Sequence, residues 1–457
     1  LLSFPVVSTP GEFPRYHVNV GVGQRAGGAS LASAVMSARL RANTAALAAG
    51  SAFSGLLAYL FFALATRTVG PVEAAPLSVL WTYWSFAAAA LTFPLQHWIT
   101  RTVTAHGEGA VRRALSRVAA TVLGISGVVG VLTWLIRDAL FERDDAWFPV
   151  LVAAVTIGAG FVGVLRGGLA ARNRFPALAW AIVAENAVRC VAAATLVVAG
   201  VRAAVGYGVC LVAGPLITVL WPTAFRYART RQADEMPFPL AFLSGSAGGS
   251  VTSQVILTGG PVVLALTGGS AYQVTVLFAA LALFRAPYTM ALGMVSPLTG
   301  RLTLLVLQGN RAALRRIRVM IVLATAVAIA VAAIAGATAG PWLLRLIFGD
   351  DVELASSLAA LVAVGSALAL SNLVLTVAVM AQSLGGAVLR CWLAGAISGA
   401  VLLATVDTAA LTLTCWAFVV AESVAWVCLL VTDERGSAKA PGRAAGSADG
   451  SGTMLFR

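Results

Sequence analysis

Apolar residues run in long blocks along most of the chain, separated by short stretches rich in Arg, Asp, Gly and Pro. A helix needs about 20 residues to cross roughly 30 Å of hydrocarbon, and a backbone in lipid must satisfy its own hydrogen bonds, so each block reads as a membrane-spanning helix. The pattern predicts twelve spans, at 45–66, 75–99, 118–136, 147–165, 176–200, 204–225, 241–267, 272–296, 318–340, 354–380, 391–406 and 410–431. The short strands of alternating polarity that a barrel requires are absent from the sequence. Trp98, Trp134, Trp147, Trp342 and Trp392 fall near predicted ends and are expected at the headgroup level.

The pattern repeats. Pro94-Leu95 is followed by Gly107 and Arg112-Arg113, and Pro297-Leu298 by Gly309 and Arg315-Arg316. Leu140-Phe141-Glu142-Arg143-Asp144-Asp145 is echoed by Ile347-Phe348-Gly349-Asp350-Asp351, again roughly two hundred residues later. A chain that repeats its loops as well as its apolar segments is built from two related bundles. The expected fold is an all-α integral membrane protein with about twelve transmembrane helices in two repeated six-helix bundles. The first occupies 44–225 and the second 241–432, with a linker at 226–240.

Charge orients these spans. The connections after spans 2, 4, 6, 8 and 10 carry Arg101, Arg112, Arg113, Arg117, Arg166, Arg172, Arg174, Arg226, Arg229, Arg231, Arg301, Arg311, Arg315, Arg316, Arg318 and Arg390. The other connections hold few arginines and most of the acidic residues, among them Glu73, Asp138, Asp144, Asp145, Asp350, Asp351 and Glu353. Basic loops stay on the cytoplasmic side, so the even loops, the linker and both termini are expected inside a multi-pass plasma-membrane protein.

Composition removes other classes. Apolar residues make up 59% of the 457 positions and charged residues 11%, and the mean hydropathy is +0.90; a soluble domain does not have this balance. The net charge of +13 is spread over loops, which fits anionic membrane lipids and not nucleic acid. The five cysteines lie within predicted spans without metal-ligand spacing. No phosphate loop or nucleophile constellation is visible, and the outer loops are too short for a catalytic surface, so neither an enzyme nor a cofactor is expected. Residues 1–43 form no convincing span. They read either as a disordered cytoplasmic tail or as sequence upstream of the true start, since Met36-Ser37-Ala38-Arg39-Leu40-Arg41 resembles a basic N-terminus. Residues 433–457 are expected to form a disordered tail.

Ionisable residues inside spans are costly and generally face a partner or a cavity. Four lie deep: Glu185, Arg189, Arg285 and Glu422. Glu185 and Arg189, at i and i+4 on span 5, read as an internal ion pair, or as a cavity pair if it opens onto water. Arg285 lies near the midplane of span 8, too deep to snorkel, and is read as a cavity residue. Glu422 either binds a coupling proton or cation or neutralises an arginine. Gly259-Gly260-Pro261 interrupts span 7 as a gating hinge or a static kink. The pairs Gly163/Gly167, Gly336/Gly340 and Gly395/Gly399 read as close-packing positions.

Three stretches carry a resemblance: Arg67-Thr68-Val69-Gly70-Pro71 leading to Leu77-Ser78-Val79-Leu80-Trp81; Gly167-Gly168-Leu169-Ala170-Ala171-Arg172-Asn173-Arg174-Phe175; and Arg285-Ala286-Pro287 with Pro297. With the twelve spans and the basic loop after the second span of each half, residues 40–432 resemble the multidrug/oligosaccharidyl-lipid/polysaccharide exporter superfamily, and its polysaccharide-flippase branch in particular. The resemblance implies alternating access around a central cavity, with a lipid-linked sugar of the undecaprenyl-diphosphate type as substrate. Arg285 and Arg189 would be its substrate-binding residues, and glycosyltransferases or a polymerase of the same pathway its partners. A cation-coupled multidrug antiporter of the same superfamily, or a non-transporting scaffold for cell-envelope synthesis, are the alternatives.

The orientation is testable. In a cysteine-free background, single cysteines placed in the 137–146 and 343–353 loops should react with an impermeant maleimide in whole cells. Labelling in the 226–238 loop instead would overturn the topology.

Overall fold

The structure is a computed structural model and describes residues 26–228, 239–292, 298, 302–306, 308–382 and 384–439. Leu1–Asn43 and Thr44–Arg457 form separate units. Residues 26–43, expected within a disordered tail, are helical; their Ala, Leu, Met and Arg content favours that state. The rest of that tail, residues 229–238 of the linker, Pro297, and residues 440–457 lie outside the described residues.

All regular structure among the described residues is helical. The N-terminal half contains α1 (Ala26–Val69), α2 (Ala75–Ala87), α3 (Phe93–His106), α4 (Glu108–Leu135), α5 (Arg137–Phe141), α6 (Trp147–Ala171), α7 (Phe175–Val198) and α8 (Ala204–Ala213). The C-terminal half contains α9 (Pro239–Thr258), α10 (Gly260–Leu266), α11 (Ala271–Phe284), α12 (Ala286–Ala291), α13 (Arg311–Thr338), α14 (Gly340–Phe348), α15 (Ser356–Ala381), α16 (Gly385–Thr405) and α17 (Ala410–Lys439). Eight of these are long and apolar enough to cross a membrane unbroken. The other four expected spans, 2, 6, 7 and 8, occupy the expected places but are interrupted.

Proline explains each interruption. It has no N–H to donate to the preceding turn, and it sits in the first two residues of the segment that follows each break. Pro94 follows a π-helical turn, Ala88–Thr92, in which the Phe93 N–H reaches back to the Ala88 carbonyl. Beyond α8, Pro215 and Pro222 each begin a 3₁₀ segment, Gly214–Leu220 and Pro222–Phe225. Pro261 follows Gly259, where the chain turns by 66° between α9 and α10. Pro287 follows Arg285, which separates α11 from α12.

The repeat is visible in packing. Gly130 of α4 lies against Ala153 of α6, and Gly336 of α13 against Ala363 of α15. Gly163 and Gly167 face Thr92, Leu95 and Ile99, while Gly395 and Gly399 face Ala417 and Ala421, so these pairs are close-packing sites. Each half also has a clamp near its basic loops. Arg172 binds Glu108 at 3.0 Å and donates to the carbonyls of Thr223 and Arg226; Arg318 binds Asp433 at 2.7 Å, and Gln382 donates to the same carboxylate. The second clamp explains why α17 continues past residue 432, where a tail was expected. Trp98 and Trp392, expected at the headgroup level, are instead buried against neighbouring helices, whereas Trp134, Trp147 and Trp342 are exposed.

The halves meet along α2, which packs on α9, α10 and α11. Towards the end that carries the acidic loops, aromatic rings close the gap: Phe62 of α1 lies 4.4 Å from Phe278 of α11 and 5.7 Å from Phe348 of α14, and Trp81 of α2 lies 6.2 Å from Phe278. Arg67 donates across the same gap to the carbonyls of Leu346 and, at 2.9 Å, Ile347.

The bend in span 7 depends on glycine, because a Cβ at Gly259 would lie 2.3 Å from the Val255 carbonyl oxygen, whereas nothing lies within 4 Å of one at Gly127. Gly259→Ala should therefore cost about 1–3 kcal/mol through overpacking, read as a lowered thermal midpoint in detergent, while Gly127→Ala should be neutral or slightly stabilising. Equal midpoints for the two variants would contradict this account.

Candidate functional site

Two groups of charged and polar side chains lie on different flanks of α1. On the N-terminal side, the i,i+4 spacing on α7 brings Glu185 and Arg189 together, with Arg189 Nη2 donating to Glu185 Oε1 at 2.7 Å. The other carboxylate oxygen, Oε2, accepts from Nη2 of Arg166 at 2.8 Å. Arg189 is wholly enclosed: Nε donates to the Leu211 carbonyl at 3.0 Å, Nη1 to Asn186 Oδ1 at 2.8 Å, and the guanidinium lies 4.6 Å over the Trp84 ring. Gly214 makes room for it, since a Cβ there would fall 2.4 Å from Nε. Asn186 in turn donates to Ser54 Oγ of α1 at 2.7 Å, and Ser54 to the Ile182 carbonyl at 3.0 Å. Arg189, read from sequence as substrate-binding, thus has its nitrogens engaged by protein and no face open to a ligand in this structure.

Arg166 was not anticipated. It was counted among the loop arginines after span 4, but α6 continues to Ala171 and carries it inside. The cluster holds two guanidinium groups and one carboxylate, an excess of one positive charge in a desolvated setting. Asn186 was also missed; a polar amide within an apolar run was its only trace in the sequence.

On the other side, Arg285 occupies the break between α11 and α12 and is half-buried. Its guanidinium is within electrostatic reach of Tyr59 and Tyr288 but has no hydrogen bond or ion pair with any described residue. Tyr59 of α1 donates to the Ala282 carbonyl, and Gly55 faces Thr289, with 3.9 Å between a Cβ there and the threonine hydroxyl. Ser54 and Gly55 are adjacent, so α1 carries the Glu185 cluster on one flank and the Arg285 region on the other at one level.

Glu422, on α17, is fully buried. Asn372 Nδ2 donates to its Oε2 at 2.7 Å and to its backbone carbonyl at 2.9 Å. Glu422 Oε1 and Asn372 Oδ1 are buried acceptors with no partner among the described residues. Glu422 does not pair with Arg285; Tyr288 lies within electrostatic reach of both. Next to Asn372, Ser371 shares a hydrogen bond with Thr325 at 2.6 Å and accepts from the Trp426 indole at 2.9 Å. The bend at Gly259 borders the interface between halves, because Gly259 faces Phe86 of α2.

No protein-family model matches the chain. An uncharacterised protein of Mycobacterium tuberculosis is 28% identical over 387 residues, 79% of this chain and 85% of that protein. A second uncharacterised protein of the same organism is 27% identical over 385 residues, with the same shares covered. Among solved structures, a multidrug resistance MATE family transporter of the MOP superfamily in an inward-facing conformation superposes with a TM-score of 0.64 at 16% identity, over 84% of this chain and 95% of the other. The outward-facing conformation of a multidrug resistance MATE family transporter gives 0.56 at 17% identity, over 87% and 96%. A eukaryotic MATE transporter, AtDTX14, gives 0.58 at 15% identity, over 88% and 98%. The chain shares the fold of these solved structures, helices arranged in two bundles.

Because Glu185 serves two cations, its removal should be the most damaging single change in the cluster. Glu185→Gln leaves two buried guanidiniums uncompensated and should cost about 3–5 kcal/mol, read as lost thermal stability and abundance. Adding Arg189→Gln should recover part of that loss. Additive losses in the double variant would mean that the two side chains act separately.

Proposed function

We propose that this protein moves an anionic, lipid-linked sugar across the plasma membrane by alternating access, its two bundles rocking about the cleft between them. The observation that carries the reading is Arg285: a guanidinium far from either end of its span, half-buried, with no counter-charge among the described residues. An intramembrane charge of this kind requires a partner. A diphosphate offers one, since a planar guanidinium holds phosphate oxygens by forked, charge-assisted hydrogen bonds. The lipid tail would remain in the bilayer while the headgroup crosses. The fold of known transporters supports the alternating-access part of the proposal, and glycosyltransferases or a polymerase of envelope synthesis would be its working partners. Both termini are assigned to the cytoplasm on the strength of the arginine-rich loops.

A second reading has its own support. A cation-coupled multidrug antiporter would use Glu422, whose Oε1, like Asn372 Oδ1, has no partner among the described residues, and the solved structures of similar fold include multidrug transporters. The described interior does not favour an organic cation as cargo, because Arg166, Arg189 and Arg285 outnumber Glu185 and Glu422. Glu422 serves better as the coupling site for a proton or cation, with Arg285 left to the cargo.

Arg285→Ala should abolish translocation of a fluorescent lipid-linked sugar in proteoliposomes while the protein reaches the membrane at normal abundance. Arg285→Lys should restore only part, because an ammonium keeps the charge and loses the fork. Recovery of abundance and transport in Arg285→Ala combined with Glu422→Ala would make Arg285 a structural counter-ion and sink the substrate assignment. Export of ethidium with no effect of the lipid-linked sugar would favour the antiporter, and binding of the sugar without translocation a scaffold.

A further inference from the structure

Tyr59 and Arg67, both on α1, reach across to the C-terminal half, and each donates to backbone carbonyls there. The acceptors are of one kind. Ala282 lies among the last four residues of α11, and Leu346 and Ile347 among the last four of α14, where a helix has run out of N–H groups of its own. Following backbone meets part of this need: the Arg285 N–H takes the Leu281 carbonyl, and the Gly349 N–H, on a backbone turned to a φ of 120°, takes that of Arg345. The next carbonyl along is Ala282 in one helix and Leu346 in the other. In both cases α1 supplies the donor.

A carbonyl left without a donor is costly at membrane depth, because no water is at hand to replace it. Arg67 also places its charge at the negative end of the α14 dipole. The two donors stand eight residues apart, about 12 Å along a helix, and Phe62 between them packs on Phe278 and Phe348. One helix of the N-terminal half therefore grips the other half from the level of the α11 break to the end that carries the acidic loops. Parting of the halves at that end would take the donor from each of these carbonyls, while the bonds inside either half could stay intact.

We propose that Tyr59 and Arg67 form a two-point latch by which α1 holds the acidic end of the cleft shut, each hooking a carbonyl at the end of a helix of the opposite half. This rests on the alternating-access part of the function proposed above and is independent of the cargo. The latch grips backbone, so its strength is set by the two donors on α1. Its release requires water to reach the Ala282, Leu346 and Ile347 carbonyls in place of those donors.

The test measures the distance between spin labels on Asp144→Cys and Asp351→Cys, both exposed and one in the acidic loop of each half, in otherwise cysteine-free full-length protein in nanodiscs. With the latch residues intact the short distance should dominate. Tyr59→Phe, which keeps the ring, should raise the ratio of long to short population about threefold, and Arg67→Ala about tenfold, as expected for loss of a neutral and of a charged hydrogen bond. Sites this far apart act independently, so the double variant should reach about thirtyfold. Arg67→Met keeps the bulk of the chain without the donors and replaces the alanine variant if that one has a lowered thermal midpoint. Phe278→Ala removes a ring contact and no cross-half hydrogen bond, and serves as the control for opening. An unchanged ratio in both Tyr59→Phe and the stable Arg67 variant, beside a longer population in Phe278→Ala, overturns the latch and leaves the rocking of the halves standing. A shift in one of the two alone overturns its two-point form. A single short distance in every variant overturns both the latch and the alternating access on which it rests.

Discussion

A single enclosed guanidinium holds the N-terminal half together. Arg189 is bonded to its own helix through Glu185 and Asn186, to α8 through the Leu211 carbonyl, and to α2 through the face of Trp84. Through Asn186 and Ser54 the network reaches α1, and through Glu185 and Arg166 it reaches α6. In lipid, packing between apolar helices supplies little preference for one arrangement, so polar contacts that work in only one geometry carry much of the specificity. Gly214 belongs to the same arrangement, since the space a side chain would take there is filled by the guanidinium.

The two halves share a plan but differ in charge. Both have a small-residue contact between their third and fourth spans and a carboxylate–arginine clamp near the basic loops. Inside, the N-terminal half holds a cluster with surplus positive charge, while the C-terminal half holds Arg285 at a helix break and, apart from it, the buried Glu422 carboxylate with an amide beside it. Duplication supplies the frame, and divergence of a few polar positions supplies the chemistry. Of the four spans broken at proline, three, spans 2, 7 and 8, form the contact between halves, so irregular backbone borders the cleft where the proposed cargo would pass.

Hydrophobic length located the eight spans that cross unbroken and, as far as the described residues show them, the places of the interrupted ones, because the bilayer sets that length and the constraint acts on each segment by itself. The Glu185–Arg189 pair was legible from helical spacing for the same reason: an i,i+4 relation is local. Arg166 was not legible. It lies in a run with Arg172 and Arg174 that reads as one basic loop, and only the position of the α6 C-terminus separates it from them. The enclosure of Arg189 and the burial of Trp98 and Trp392 depend on which face of each helix meets a neighbour, and an apolar stretch that is greasy all round does not encode this. The extension of α17 turned on Asp433 finding Arg318, a contact more than a hundred residues long in sequence.

The aromatic closure between Phe62, Trp81, Phe278 and Phe348 contains no ionisable group, and Arg67 beside it bonds only backbone carbonyls among the described residues. Dispersion contacts of this kind respond neither to ionic strength nor to proton concentration. Salt and protons therefore have no handle on the ring contacts themselves, whereas the acidic loops beside them carry ion pairs such as Arg143–Glu73 and Arg345–Glu353. In the proposed transport cycle, the charges at the middle of the bundle would act on the ring cluster through α1 and α11, which carry residues of both. In that proposed cycle the ring cluster would set the threshold to be exceeded before the outer end opens.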